Sequence, residues 1–233
     1  MKVIKLKNLS SKDYERIVKR SAGSNSFNER RAMITVIDYG LGNLASVTNA
    51  LKKHEIPYEV SSDIEVLKKA KALILPGVGS ANQGMENIKA KGIDQVVIEQ
   101  AKKGIPILGI CLGMQLLLSK SEEGNVECLN LIKGKVVQFK TKLKVPQIGW
   151  NNVKIKNKES RIMNNISNNS YFYFVNSFYC SPTDRSTVVG ATDYAGEFCS
   201  MLEKDNIFGV QFHPEKSGDI GLQILRNFWE AIC

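Results

Sequence analysis

From Met33 onward, short apolar runs rich in β-branched residues alternate with segments of helical spacing. MITVIDYG predicts a strand over 34–39, and GLGN leads from it into a helix over 45–54. PYEVSS reads as a second strand, 63–70 as a short helix and ALILPG as a third strand. A helix across 95–103, a fourth strand in IPILGI and a helix in MQLLLSK follow. The third and fourth strands are almost wholly apolar, as strands covered on both faces are. Repeated β-loop-α units predict a parallel sheet. After Leu129 the text changes. GKVVQFK, NNVKIK, YFYFVNSFYC, TVVGATDY, FCSMLEK and FGVQFH are strand-like with turns between them, and a helix over 220–231 closes the chain. The expected fold is therefore α/β: an open, mostly parallel sheet flanked by helices, with an antiparallel or mixed second half.

Residues 1–32 stand apart. SSKDYERIVKR reads as one helix capped by Ser10 or Ser11, and SAGSNSFNERR as linker. This divides the chain into an N-terminal extension or linker, native or appended, and one domain over 33–233. Charge supports the division. The net charge of +9 is concentrated in residues 1–32, which hold nine basic and three acidic side chains. A basic appendage on a near-neutral body argues against a nucleic-acid groove. Apolar runs stay short of the roughly 18 residues a membrane span needs. The start MKVIKLKNLSSK is too polar for a signal-peptide core. Five cysteines without a CxxC pair argue against a disulfide framework or a zinc knuckle, and for a reducing, cytoplasmic setting without a structural metal.

In an open parallel sheet, reacting groups gather where the strands end. The loops after Tyr39, Leu75, Ile110 and Phe212 are therefore the places to look for chemistry. Gly109-Ile110-Cys111-Leu112-Gly113 follows a buried strand and opens a helix, the pattern of a nucleophile elbow with Cys in the Ser position. Its turn is too tight for side chains two residues before and after the nucleophile. The helix N-terminus behind Cys111 favours thiolate. A Cys nucleophile needs a base, and the chain has two histidines. His54 ends a helix just before a proline and reads as an exposed helix-end residue. His213 lies in VQFHPE, where Glu215 two positions on shares its face in extended chain and can hold the imidazole tautomer. Leu75-Pro76-Gly77-Val78-Gly79-Ser80 offers backbone N–H groups for an oxyanion, or is an ordinary βα turn. Gly40-Leu41-Gly42-Asn43-Leu44-Ala45, with Asp63 about 20 residues on, fits the dinucleotide pattern, so an NAD-binding oxidoreductase is a rival that leaves Cys111, His213 and Glu215 without a role.

GICLGMQLL and VQFHPEKS resemble the class I glutamine amidotransferases. VIDYGLGNLASV, LPGVGS, VPQIGWN, YFYFVNSFY and FHPEKSG narrow the resemblance to the branch of glutaminase subunits serving imidazole glycerol phosphate synthesis in histidine biosynthesis. The resemblance spans residues 33–233 and implies a single class I glutamine amidotransferase domain that works without a cofactor. It implies that Cys111 attacks the glutamine carboxamide, that His213 shuttles the proton and that Glu215 orients His213. Gly77 and Val78 would form the oxyanion hole, after a peptide flip triggered by the partner. Gly79, Gln115 and Glu123 match positions that hold glutamine, and Ser177 and Phe178 match positions that bind it through the backbone. Ammonia would pass to a (β/α)₈-barrel cyclase subunit, with which the chain would form a heterodimer. Asn43, Trp150 and Lys216 match the surface facing that partner. Two positions depart from the family: Gln147 and Asn176 stand where it usually has His. Relatives that supply ammonia to amidate sugars of surface polysaccharides are the alternative within the resemblance.

Overall fold

The computed structural model describes residues 33–232. The helix expected within residues 1–32 lies outside the described residues. From Met33 the chain runs β1 (Ile34–Ile37), α1 (Leu44–Lys53), β2 (Tyr58–Ser61), α2 (Ile64–Lys69), β3 (Ala72–Leu75), α3 (Ala81–Ala90), α4 (Ile93–Lys102), β4 (Ile107–Ile110) and α5 (Leu112–Leu116). Short strands β5 (Lys120–Ser121) and β6 (Val126–Glu127) precede β7 (Gly134–Gln138), β8 (Gln147–Ile155), β9 (Ser170–Asn176) and β10 (Phe178–Pro182). Then come β11 (Val188–Asp193), β12 (Glu197–Lys204), β13 (Ile207–Val210) and α6 (Gly218–Glu230).

The strands join in the order β2-β1-β3-β4-β13-β12-β10-β7-β5-β6, and β11, β8 and β9 branch off through β12. β2, β1, β3, β4 and β13 are mutually parallel. β12, β10, β11, β8 and β9 pair antiparallel with their neighbours, and β7 pairs antiparallel with β10 and parallel with β5. Both expected halves of the fold are present. Each central strand feeds two cores by the period-2 alternation of its side chains. Ile34, Val36, Ile74, Leu108 and Phe208 face α1 and α6 through Val47, Leu51, Leu225 and Phe228. Ile37, Leu73, Leu75 and Ile107 face α2 to α5 through Leu67, Met85, Val97 and Leu116. The all-apolar strands are thus explained by burial on both faces. No helix among the described residues is long and apolar enough to cross a membrane.

Three elements differ from the sequence expectation. Helix α3 was not anticipated in ANQGMENIKA, where Gly84 and few apolar side chains hide the period. At Gly84 a Cβ would come within 3.1 Å of Leu116 Cδ1, a close approach of α3 to α5, and Ser80 caps the helix by accepting from the Gln83 N–H. The helix expected over MQLLLSK begins earlier, at Leu112, and stops at Leu116, because Lys120–Ser121 is drawn into pairing with β6 and β7. The single strand expected over 171–180 breaks at Ser177: β9 pairs with β8, and β10 with β7 and β12.

Candidate active site

β4 and β13 end side by side, with Ile110 opposite Val210 in parallel register. The next residues are Cys111 and Gln211, and the Cys111 N–H donates to the Val210 carbonyl at 2.8 Å. Cys111 sits at φ 54°, ψ −110°, a left-handed conformation that costs an L-residue about 1–3 kcal/mol and persists only where the surroundings enforce it. They do so here. A Cβ on Gly113 would lie 1.8 Å from the Leu75 carbonyl oxygen, and one on Gly109 would lie 2.6 Å from the Met114 nitrogen. The elbow turn inferred from the two glycines is therefore what the backbone adopts.

VQFH reaches Cys111 by alternation. Phe212 is buried and stacks on Phe172 with ring centroids 4.0 Å apart, which turns Gln211 and His213 to the opposite side. The His213 N–H donates to the Tyr173 carbonyl at 2.9 Å, and Ser217 Oγ donates to the His213 carbonyl at 2.6 Å. Both partners fix the backbone of the histidine. His213 Nδ1 is 2.8 Å from Glu215 Oε1, and both side chains are buried. The imidazole and Cys111 line the same cavity. Burial works against its protonation, yet the bonds to Cys111 and Glu215 and the attraction of their negative charge outweigh burial and push His213 up from 6.5 to about 10. Helix α5 has only five residues, too few for a large macrodipole. A protonated His213 is therefore a stronger source of positive potential beside the sulfur than the helix is.

Val78, Gly79, Cys111, Gln115, Glu123, Ser177, Phe178 and His213 line one cavity of about 240 Å³, at the small end of ligand pockets. Gln115 Nε2 donates to the Phe178 carbonyl at 3.1 Å and to Gln211 Oε1 at 3.0 Å, so its amide N–H groups are engaged within the protein. Glu123 Oε2 accepts from the Ala81 N–H at 2.7 Å and caps α3 from the cavity wall. Gly77 lies beneath this wall rather than on it. A Cβ there would meet Tyr39 Oη at 2.6 Å and Leu112 Cβ at 2.8 Å. Tyr39 is buried and its hydroxyl donates to the Pro76 carbonyl at 2.8 Å, pinning the Gly77–Val78 loop from behind. Burial, and then the charge of Cys111, push the Tyr39 hydroxyl far above its ordinary range, so it stays a neutral donor.

The remaining candidates lie elsewhere. Asn43 Oδ1 accepts from the Ser46 N–H and caps α1, and Asp63 Oδ1 caps α2 through the Glu65 N–H. Capping accounts for both halves of the dinucleotide-like pattern. Trp150 is exposed, edge-on to Tyr173, on the face of β8 and β9 that also shows Ile148 and Tyr171. Lys216 is exposed in the turn after His213. His54 is half-buried rather than exposed, with Nδ1 3.3 Å from Arg226 Nη2, and takes no part in the cavity. Sequence reasoning missed Gln211, whose place two residues before His213 was the available signal. It also missed Tyr39, whose side chain reads as one more strand apolar.

The chain matches the model of the glutamine amidotransferase class-I family over residues 35–231 and belongs to that family. It is 46% identical to imidazole glycerol phosphate synthase subunit HisH 2 of Methanococcus maripaludis, over 84% of this chain and 98% of that protein. It is 47% identical to imidazole glycerol phosphate synthase subunit HisH of Chlorobium luteolum, over 85% of this chain and all of that protein. Among solved structures, PurLQS from Thermotoga maritima superposes with a TM-score of 0.68 at 20% identity, covering 87% of this chain and all of that one, which shows the shared fold.

Proposed function

We propose that this chain is the glutamine-hydrolysing subunit of an imidazole glycerol phosphate synthase and acts in histidine biosynthesis. The observation that carries the reading is the Cys111–His213–Glu215 constellation, whose Cys111 and His213 line a small cavity. The near-full-length likeness to the two named subunits gives it direction.

Glutamine enters the cavity between Gln115, Glu123 and the Ser177–Phe178 backbone. The Cys111 sulfur gives its proton to His213 and attacks the carboxamide carbon. Gly77 and Val78 face the developing oxyanion with their N–H groups once the loop is set. The C–N bond breaks as His213 gives its proton to the departing nitrogen, which leaves as ammonia. A water then adds to the thioester carbon and passes a proton to His213. Collapse frees glutamate and returns the sulfur to its starting state. Glu215 holds the imidazole tautomer throughout and takes no proton itself.

A barrel-shaped cyclase that consumes ammonia is the partner this reading requires. Its docking face is the exposed strip of Ile148, Trp150 and Tyr171, together with Asn43 and Lys216. β9 ties this strip to the site, since its Tyr173 carbonyl binds His213 while Tyr171 faces solvent. The family match starting at residue 35 supports a domain that begins near Met33. The odd number of cysteines suits the cytoplasm.

The test combines the chain with its co-purified partner. Glutamate release is expected to rise on complex formation and to vanish in Cys111→Ala with the fold retained. A glutamine-analogue electrophile is expected to add covalently at Cys111. Release by Cys111→Ala at the parent rate overturns the mechanism. Capture of a sugar-amidating partner in place of a cyclase changes the acceptor and leaves the glutaminase chemistry standing.

A further inference from the structure

The Cys111 sulfur has three polar neighbours. One is His213. The second is the Val175 carbonyl oxygen at 3.9 Å. The third is the side-chain amide of Gln211, whose Nε2 lies 3.7 Å from Sγ. Gln211 is fully buried, and no step above uses its side chain.

Its orientation is fixed by a chain of bonds. Gln115 gives one amide N–H to the Phe178 carbonyl and one to Gln211 Oε1, at 3.1 and 3.0 Å. With Oε1 taken by a donor, it is the Nε2 end of Gln211 that meets the sulfur. Reversing the Gln211 amide would set two N–H₂ groups against each other at Gln115. The backbone is held as well, since the Gln211 N–H donates to the Ser200 carbonyl at 2.9 Å.

The two uncharged neighbours of Sγ act in opposite senses. A carbonyl accepts from a thiol and repels a thiolate. An amide N–H gains strength when its acceptor becomes an anion. We propose that Gln211 is a positioning residue: its amide holds the Cys111 sulfur as the anion and ties that sulfur, through Gln115, to the wall of the glutamine cavity. The proposal rests on Cys111 being the nucleophile. Besides His213, the titratable groups that feel Cys111 are Tyr39 and Cys180, and Glu215 acts through His213. Burial pushes Tyr39 and Cys180 upward, so both remain neutral and neither supplies a competing charge.

The test is the pH profile of Cys111 alkylation by iodoacetamide in the full chain, read by peptide mass mapping because the chain has five cysteines. Gln211→Glu keeps the shape and the acceptor for Gln115 but turns the sulfur-facing donor into an acceptor. Gln211→Leu removes the donor. Alkylation near neutral pH is expected to fall about tenfold in Gln211→Leu, the worth of one charge-assisted hydrogen bond, and further in Gln211→Glu. The whole profile moves to higher pH, with circular dichroism unchanged. Profiles that superpose on the parent overturn the proposal. So does a loss of rate equal at every pH, which marks a packing role alone. If Gln211→Leu fails to fold, the isosteric Gln211→Glu decides. Parent chain in which Cys111 reacts no faster than Cys128 removes the nucleophile reading itself.

Discussion

Gln147 and Asn176 stand opposite each other in the β8–β9 ladder, and each keeps a side-chain carbonyl oxygen buried with no hydrogen-bond partner. These are the two positions where the resemblance leads one to expect histidines. They are neighbours in space, so the two departures amount to one exchange of a facing pair beside the cavity wall that Asn176 helps to form.

Asn176 also holds the break between β9 and β10, since its Nδ2 donates to the Phe178 carbonyl at 3.0 Å. That carbonyl accepts a second hydrogen bond, from Gln115 Nε2. Asn176→Leu is expected to loosen the Ser177–Phe178 segment and raise KM for glutamine roughly fivefold, about 1 kcal/mol, with a smaller change in kcat. Stability is expected to stay within about 1 kcal/mol, because removing the orphaned oxygen offsets the lost bond. Steady-state kinetics and urea unfolding check both, and a kcat loss larger than the KM change sinks the assignment.

The proton on His213 links stability to pH. Its affinity is higher in the folded state, about 10 against 6.5. The contribution is therefore complete below about 6.5 and drains away as pH rises toward about 10. The melting temperature of the parent chain is expected to fall over this window. A His213→Asn/Glu215→Gln double variant, which lacks both charges, is expected to show a flatter slope there. Parallel curves for the two proteins would mean that the dyad holds no extra proton.

Gly113 has no room for any side chain, since a Cβ would lie 1.8 Å from the Leu75 carbonyl oxygen. Both sides of that clash are backbone, so no rotamer change relieves it. Gly113→Ala is expected to destabilise the domain by at least ~3 kcal/mol and to abolish Cys111 reactivity even where some fold survives. Gly84→Ala is the control. Its Cβ meets only the tip of Leu116 at 3.1 Å, and the helix gains from losing a glycine. Its unfolding free energy is expected to stay within about 1 kcal/mol of the parent.

The sequence alone determined the parallel half of the fold, because strands buried on both faces have to be apolar throughout and the turns between them have to carry glycine. It marked Cys111 through Gly109 and Gly113, and His213 with Glu215 through scarcity and alternation, since local geometry leaves few other residue types at those places. It did not show α3, whose few apolar side chains and Gly84 hide the helical period and whose packing against Leu116 lies on another helix, nor the break at Ser177, where two strands find different neighbours. The contact between Cys111 and Gln211 was beyond it as well. A hundred positions separate the two residues. They touch because β4 and β13 pair in register, and strand pairing is a long-range choice that no local pattern encodes.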